Sequence, residues 1–508
     1  MAGTMRCLAL GFILFLLAFS SACGAGSMDS NPPPPPPTPV PISANVAVNS
    51  TTNGPFNLAM STSFQPAEWD YQFFSNVPGA VIPLGNLQPT HIRLQTVSQG
   101  VPQRTVNSWD FSVLDAITQP VLTVGDHSPQ MQLGWAPSFM WSGGGTSGTL
   151  DVNAFTTYAQ NMVRYYNTGG FTSLDNVHHV SPSYPNEKIT WWGILNEPSI
   201  NGFSPTTGAA DYTAVYNQVV PAMKSVDGSI KFAALELCCG SENWVQTFAN
   251  NVNAQVDVLA AHYYSSCNQQ DTDTQLFATV PGFAASVQQI YANLSLNPSL
   301  GNVPVWITEN NVNADFSNSS GHSTCNPSQV FKADSRGSSA FFAAWRPYVF
   351  SQLGKAGAQM LHHWDFNADA QFGELNWSGN QAQFQLSYWV DYWLARYYPG
   401  NSGQHLLTFT NSNVAQVEVL PVVNTDGSVV VMVSNHAVAS TADNNGKGLT
   451  ANILLDTSAL GPFGSATKLV IDSSTDVANG PTANSTSALS PMNLSMTGYS
   501  VTFLKLVP

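Results

Sequence analysis

The run Trp191-Trp192-Gly193-Ile194-Leu195-Asn196-Glu197-Pro198 constrains this chain more than any other stretch. Its apolar residues follow one another without a polar face, the pattern of a short strand buried on both sides. Pro198 has no amide hydrogen to give a ladder, so the strand stops there and Glu197 stands at its C-terminal lip. Val303-Pro304-Val305-Trp306-Ile307-Thr308-Glu309-Asn310-Asn311 has the same grammar, an apolar strand closed by a carboxylic acid.

From about Asn45 apolar strands alternate with amphipathic helices, which predicts a parallel α/β architecture. The strands fall at Phe56–Met60, His91–Thr96, Val121–Val124, Ile189–Leu195, Lys231–Leu235, Val256–His262, Val303–Thr308 and Gln359–Trp364. Helical stretches separate them, such as Val152–Tyr166, Asp211–Val226, Ser241–Asn250, Phe283–Asn293 and Ser335–Leu353. Eight such units predict a (β/α)8 TIM barrel over residues 45–402. A doubly wound open sheet is disfavoured because no G-x-G-x-x-G turn follows the first strand. Past Pro399-Gly400 the helical period gives way to short strands and turns such as Thr425-Asp426-Gly427-Ser428, predicting a C-terminal β-sandwich over 403–508. The strand-like Ala44–Val48 has little else to pair with and is a candidate for the same sheet.

Residues 1–22 carry Arg6, an apolar run from Leu8 to Phe19 and small residues before Cys23. This reads as a secretory signal, too short for a stable membrane span. It resembles a bacterial lipoprotein signal, with Ser20 where that pattern has Leu, and so points to export and to lipid anchoring through Cys23. Residues 23–44 hold Pro32 to Pro37, a polyproline spacer and domain boundary. Cys7 lies within the leader; of the four cysteines in the body, 238, 239, 267 and 325, none has zinc spacing, and in an exported chain they suggest one or two disulfides. Cys267 with Cys325 would tie the loops after strands six and seven, with Cys238 or Cys239 as the other source of a partner. Lys and Arg number 15 against 30 Asp and Glu, so no basic surface exists to neutralise nucleic-acid phosphates.

A TIM barrel carries its site at the C-terminal ends of its strands, so Glu197 and Glu309 open into one bowl. Paired carboxylates there suit cleavage of a glycosidic bond. Arg93 is the only cation on its apolar strand; a buried Arg needs a carboxylate, and Glu309 is the partner to expect. That contact would keep Glu309 ionised.

Asn196-Glu197-Pro198 on strand four with Thr308-Glu309-Asn310 on strand seven resembles the clan of retaining (β/α)8 glycoside hydrolases, and within it family 39, which includes β-xylosidases. The resemblance covers roughly residues 45–508. It implies that Glu197 is the general acid/base and Glu309 the nucleophile, that Asn196 binds the sugar 2-hydroxyl, and that Tyr264 of His262-Tyr263-Tyr264 holds the nucleophile. It also implies that His262 lies in the substrate site and that Trp364 is a sugar platform. A carbohydrate substrate follows, with no cofactor and no metal. Trp191 and Trp192 read as core.

Asp126-His127 and His362-His363 could ligate a metal but lack nearby carboxylates at ligand spacing, so sugar binding or core roles are favoured. Glu236, Asp365 and Glu374, the last near Trp377, are further substrate-binding candidates. No G-x-S-x-G elbow supports a serine triad. The competing readings are a catalytically silent carbohydrate-binding or adhesion protein on this barrel, and a metal-dependent hydrolase. The sequence leaves open the sugar, its linkage, exo or endo action and the oligomeric state.

Overall fold

The structure, a computed structural model, describes residues 40–508 apart from 65–70, 125, 127, 146–147, 204–207, 239, 368–370, 401 and 489. The signal, Cys23, most of the proline spacer, His127 and Cys239 thus lie outside the described residues.

Eight parallel strands close a barrel in sequence order: Ala59–Phe64, Arg93–Gln95, Gln130–Leu133, Trp191–Ile194, Lys231–Leu237, Val258–Ser266, Val305–Asn313 and Met360–His363. Trp191, Ala233, Val258, Ala260, Trp306 and Met360 form a cluster of their own from strands four to eight, which fills the barrel's lower interior. Trp192 is fully buried in the main core, so both tryptophans of the opening motif are structural.

Seven of the eight strands fall where the apolar runs predict. The third does not. Val121–Val124 ends a helix, Ser112–Thr123, whose buried Leu114, Ile117, Thr118, Val121 and Leu122 recur at helical spacing. The strand is instead Gln-Met-Gln-Leu, whose two amides disguise it. Gln130 donates to Glu236 Oε1 at 2.6 Å and Gln132 to the Leu195 carbonyl, so both polar side chains are used inside the barrel. Gln132 also explains the glycine of strand four: a Cβ on Gly193 would stand 1.5 Å from Gln132 Oε1.

Apart from two short hairpins, Phe171–Thr172 with His178–His179 and Leu375–Ser378 with Gln381–Phe384, the remaining strands form one nine-stranded sheet, ordered 484–486, 465–471, 500–507, 429–435, 417–423, 405–411, 42–55, 451–456 and 492–496. Leu420, Val422, Val430, Met432, Leu469, Val501 and Phe503 share the core of the barrel helices. On the other face, Val417, Val419, Val429, Val431 and Leu504 join Val46, Ile453 and Leu494 from the far end of the sheet in a second core. The sheet therefore closes on itself as a sandwich. Ile42–Pro55 lies inside it, antiparallel to His405–Asn411 and parallel to Ala451–Asp456, so the barrel begins after Pro55 and not at residue 45.

Candidate active site

Strands four and five end in the same unusual way. Leu195 and Glu197 have φ of 59° and 46°, and Leu235 and Glu236 have 76° and 48°. Left-handed backbone at a residue other than glycine costs on the order of 1–3 kcal/mol and persists only where its surroundings fix it. Here the Glu197 amide donates to the Glu236 carbonyl at 3.1 Å, locking the two kinks together. Pairing of strands five and six skips between Ala234 and Leu237, a bulge that re-aims Glu236.

Glu309 receives a hydrogen bond on each oxygen, from Arg93 Nη1 to Oε1 and from the Tyr264 hydroxyl to Oε2, both 2.9 Å. Arg93 Nη2 donates to Asn196 Oδ1 at 2.7 Å. His262 Nδ1 lies 2.9 Å from Glu197 Oε1, and its Nε2 lies 3.0 Å from Glu236 Oε2. Glu236 Oε2 also accepts from Thr308 at 2.5 Å and faces Arg93 Nη2 at 3.4 Å. One oxygen of Glu197, one of Glu309 and a nitrogen of His262 all lie within 4.8 Å of one another. Side-chain exposure grades the three acids, 17% for Glu197, 7% for Glu309 and none for Glu236. Only the first two can meet a substrate.

The charges follow from this packing. Burial works against a charged His262, but Glu309, Glu197 and Glu236 outweigh it and push the imidazole up to about 9. Burial opposes a charged Glu236 too, yet Arg93, His262 and Thr308 bring it down to about 2. For Glu309 the balance tips the other way. Burial raises its carboxyl above the ordinary range, helped by Glu197, against the pull of His262, Arg93 and Tyr264. The expectation that Arg93 and Tyr264 hold Glu309 low is thus corrected: both contacts exist, but desolvation exceeds them. Burial and the neighbouring Glu309 keep Tyr264 a protonated donor.

Of the residues singled out in the sequence, Glu197, Glu309, Asn196, Arg93, His262 and Tyr264 converge here, and Trp364 joins them with its ring centroid 5.9 Å from the Arg93 guanidinium carbon. Arg93 and His262 are fully buried behind the acids, so they contact carboxylates and not a ligand surface. Glu236 likewise lies under the site and not in it. Asp126 is elsewhere, before strand three, where it accepts from the Ile92 amide at 2.6 Å. His362 packs against the carbonyls of His91 and Ile307, and burial lowers it to about 4. His363 faces Asp391 at 2.7 Å and the Phe372 carbonyl at 2.6 Å. Glu374 is buried and accepts from Thr62 at 2.7 Å, while Trp377 stands 38% exposed on the hairpin that follows.

Among the described residues three groups have metal-ligand spacing; in one, Cys267 with Asp315 and Cys325, the two sulfurs are bonded to each other, which leaves Glu197 with His262 and Glu309, and His363 with Glu374 and Asp391. In each an arginine already supplies the positive charge, Arg93 on Glu309 and Arg346 on Asp391 at 3.0 Å. These donor sets are built for hydrogen bonding.

Residues 164–333, which include both Glu197 and Glu309, match a family model described as the glycosyl hydrolase catalytic core. A β-xylosidase of Geobacillus stearothermophilus is 24% identical over 163 residues, 31% of this chain and 31% of that protein. The match thus spans about a third of that relative's length. Among solved structures, the chain is similar to the GH51 arabinofuranosidase of Xanthomonas axonopodis pv. citri, with a TM-score of 0.66 at 13% identity over 92% of this chain and 100% of that one. It is also similar to a monomeric β-xylosidase of Caulobacter crescentus CB15, with a TM-score of 0.61 at 15% identity over 92% and 99% of the two chains. These likenesses establish a common fold, and with the catalytic-core match they bear out the family 39 resemblance read from strands four and seven.

Proposed function

We propose that this chain is an exported glycosidase that cleaves O-glycosidic bonds of plant or microbial oligo- or polysaccharides with retention of anomeric configuration. The observation that carries the reading is the pair Glu197 and Glu309, presented by strands four and seven with an oxygen of each within 4.8 Å of the other. Retaining enzymes set their carboxyl groups about 5–5.5 Å apart, whereas inverting ones leave about 6.5–9.5 Å for a water. The β-xylosidase and arabinofuranosidase relatives favour a pentoside substrate. Export rests on the N-terminal signal, and Cys23 is the anchoring point if a lipid is attached.

Glu309 attacks the anomeric carbon while Glu197 protonates the leaving oxygen. The proton gone, Glu197 takes another from water, which releases the sugar from Glu309. Asn196 spends its carbonyl oxygen on Arg93, which leaves its amide nitrogen for the sugar 2-hydroxyl. Trp364 offers its ring beneath the sugar.

The test is a pair of variants on an aryl glycoside with a good leaving group. Glu197→Ala should form the glycosyl-enzyme and stall, and azide should release a glycosyl azide of the substrate's own configuration. Glu309→Ala should form no intermediate and, if rescued, give the opposite anomer. An inverted first product from the unaltered protein, or the reverse pattern of rescue, defeats the assignment.

A further inference from the structure

Glu236 has no place in the steps above, yet it is the most connected side chain of the site. It is fully buried, its Oε1 accepts from Gln130 and its Oε2 from Thr308, and it contacts both cations, Arg93 at 3.4 Å and His262 at 3.0 Å. Each cation in turn holds one of the reacting acids, Arg93 holding Glu309 and His262 holding Glu197. Its kinked backbone is fastened to that of Glu197 by the amide-to-carbonyl bond of 3.1 Å.

We infer that Glu236 is a positioning residue of the proposed reaction, a fixed negative charge that holds His262 as an imidazolium donating to Glu197 and Glu236 at once and keeps the site neutral through both chemical steps. The inference rests on the roles of Glu197 and Glu309 proposed above.

The hydrogen-bond geometry comes first. A neutral imidazole carries one N–H and would turn a lone pair toward one of two carboxylates. With Nδ1 at 2.9 Å from Glu197 and Nε2 at 3.0 Å from Glu236, the doubly protonated ring donates to both at once, and still does when Glu197 presents the carbonyl oxygen of its protonated form. The charged and titratable groups that face it are Glu197 after strand four, Glu236 on strand five, Glu309 on strand seven at 3.6 Å, and through these Arg93 on strand two and Tyr264 on its own strand. His362 on strand eight gives its ring to backbone carbonyls.

Charge counting supplies the second argument. In the state that the proposed roles require, with Glu309 ready to attack and Glu197 to donate, Arg93 and His262 are positive, Glu236 and Glu309 negative, and Glu197 neutral. The sum is zero. In the first step the bond from the anomeric carbon to the leaving oxygen breaks, the bond to Glu309 forms, and the Glu197 proton goes to the leaving oxygen. Glu309 has then lost its charge and Glu197 has gained one, so the sum is again zero. The negative charge moves from one acid to the other while Glu236 stays put. Without Glu236 the buried cluster would carry a net positive charge at both stages, and His262 would relieve it by releasing its proton. Fixed charges arranged for both stages lower the reorganisation that each step needs.

The experiment follows the His262 ring by 15N NMR across pH, with its signal assigned by its loss in His262→Gln. In the unaltered protein both ring nitrogens should stay protonated through neutral pH. In Glu236→Gln the midpoint should fall by a pH unit or more, and the alkaline limb of kcat should move the same way. Glu236→Asp, which keeps the charge, should restore the midpoint more fully than kcat. Thr308→Val removes one donor from the same Oε2 without touching His262, leaves the carboxylate a stronger acceptor, and should raise the midpoint; this arm stands even if Glu236→Gln does not fold. An unmoved His262 midpoint in either Glu236→Gln or Thr308→Val overturns the inference. A chain that shifts as expected but turns over no glycoside defeats the proposed function and leaves the Glu236–His262 coupling in place.

Discussion

At the scale of residues, His262 and Glu236 make stability depend on pH in opposite directions. His262 titrates at about 9 in the folded chain but near 6.5 when unfolded. The folded state therefore holds an extra proton, and the stability this contributes is complete below about pH 6.5 and is lost as pH rises through about 9. Glu236 titrates at about 2, so its contribution is complete above about pH 4.5 and lost as pH falls toward 2. Calorimetry should show Tm falling between pH 6.5 and 9 in the parent and less so in His262→Gln; equal slopes would contradict the charge assignment. Tyr264→Phe removes the hydroxyl from Glu309 Oε2, and a hydrogen bond to a charged group contributes about 1.5–3 kcal/mol. A fall in kcat/KM of roughly ten- to hundredfold is expected, read from initial rates with the fold checked by circular dichroism. Glu197, Glu309 and the Arg93 contact were legible because a charge on an apolar strand must have a reason. Glu236 misled, since an acid ending a strand reads as facing the bowl; its left-handed φ and the bulge beside it have no mark in the sequence.

At the scale of elements, the misplaced third strand carries the same lesson. A periodicity search rewards apolar runs, and Val121-Leu122-Thr123-Val124 has one, although it finishes a helix. Gln130 and Gln132 instead spend their amides inside the barrel, a use visible only once strands four and five stand beside them. Gly193 is the mark this leaves in the opening motif, because it makes room for Gln132. Gly193→Ala should destabilise the chain by about 1–3 kcal/mol through overpacking, and Gln132→Ala in the same chain should recover part of the loss, as measured by denaturant unfolding. On the rim, Cys267 and Cys325 are joined across 58 residues with a Cα separation of 5.8 Å. The pairing was legible once both loops were placed on one face of the barrel. Closing a loop of that length stabilises by about 4 kcal/mol in the chain-entropy treatment. The double variant Cys267→Ser, Cys325→Ser should lower Tm, and a reductant should lower the parent's Tm by more than the variant's.

At the scale of the whole molecule, the sheet is part of the barrel's construction. The helix Ala340–Lys355 has buried residues on every side, from Phe341 through Phe350 without a break. A helix apolar all round must be covered all round, and the barrel covers only one side. The other meets the sheet: Ser434 donates to the Ala344 carbonyl at 2.8 Å, while Ser351 and Lys355 each reach Glu418 at 2.5 Å. Asp273, at the start of a barrel helix, accepts from Tyr499 of the sheet at 3.0 Å and from Arg336 at 3.1 Å. The chain also enters through the sheet, since Ile42–Pro55 pairs with His405–Asn411 and Ala451–Asp456, strands that come only after the barrel. A barrel cut out as residues 56–402 would bare the outer face of Ala340–Lys355, leaving Phe341 without the Tyr499 ring and Tyr348 without the stacked His436. That fragment should aggregate or lack a near-ultraviolet circular dichroism signal, whereas residues 40–508 should unfold in one calorimetric transition with matching van't Hoff and calorimetric enthalpies. Two resolved transitions, or a soluble 56–402 fragment with native near-ultraviolet signal, would show that the barrel stands alone.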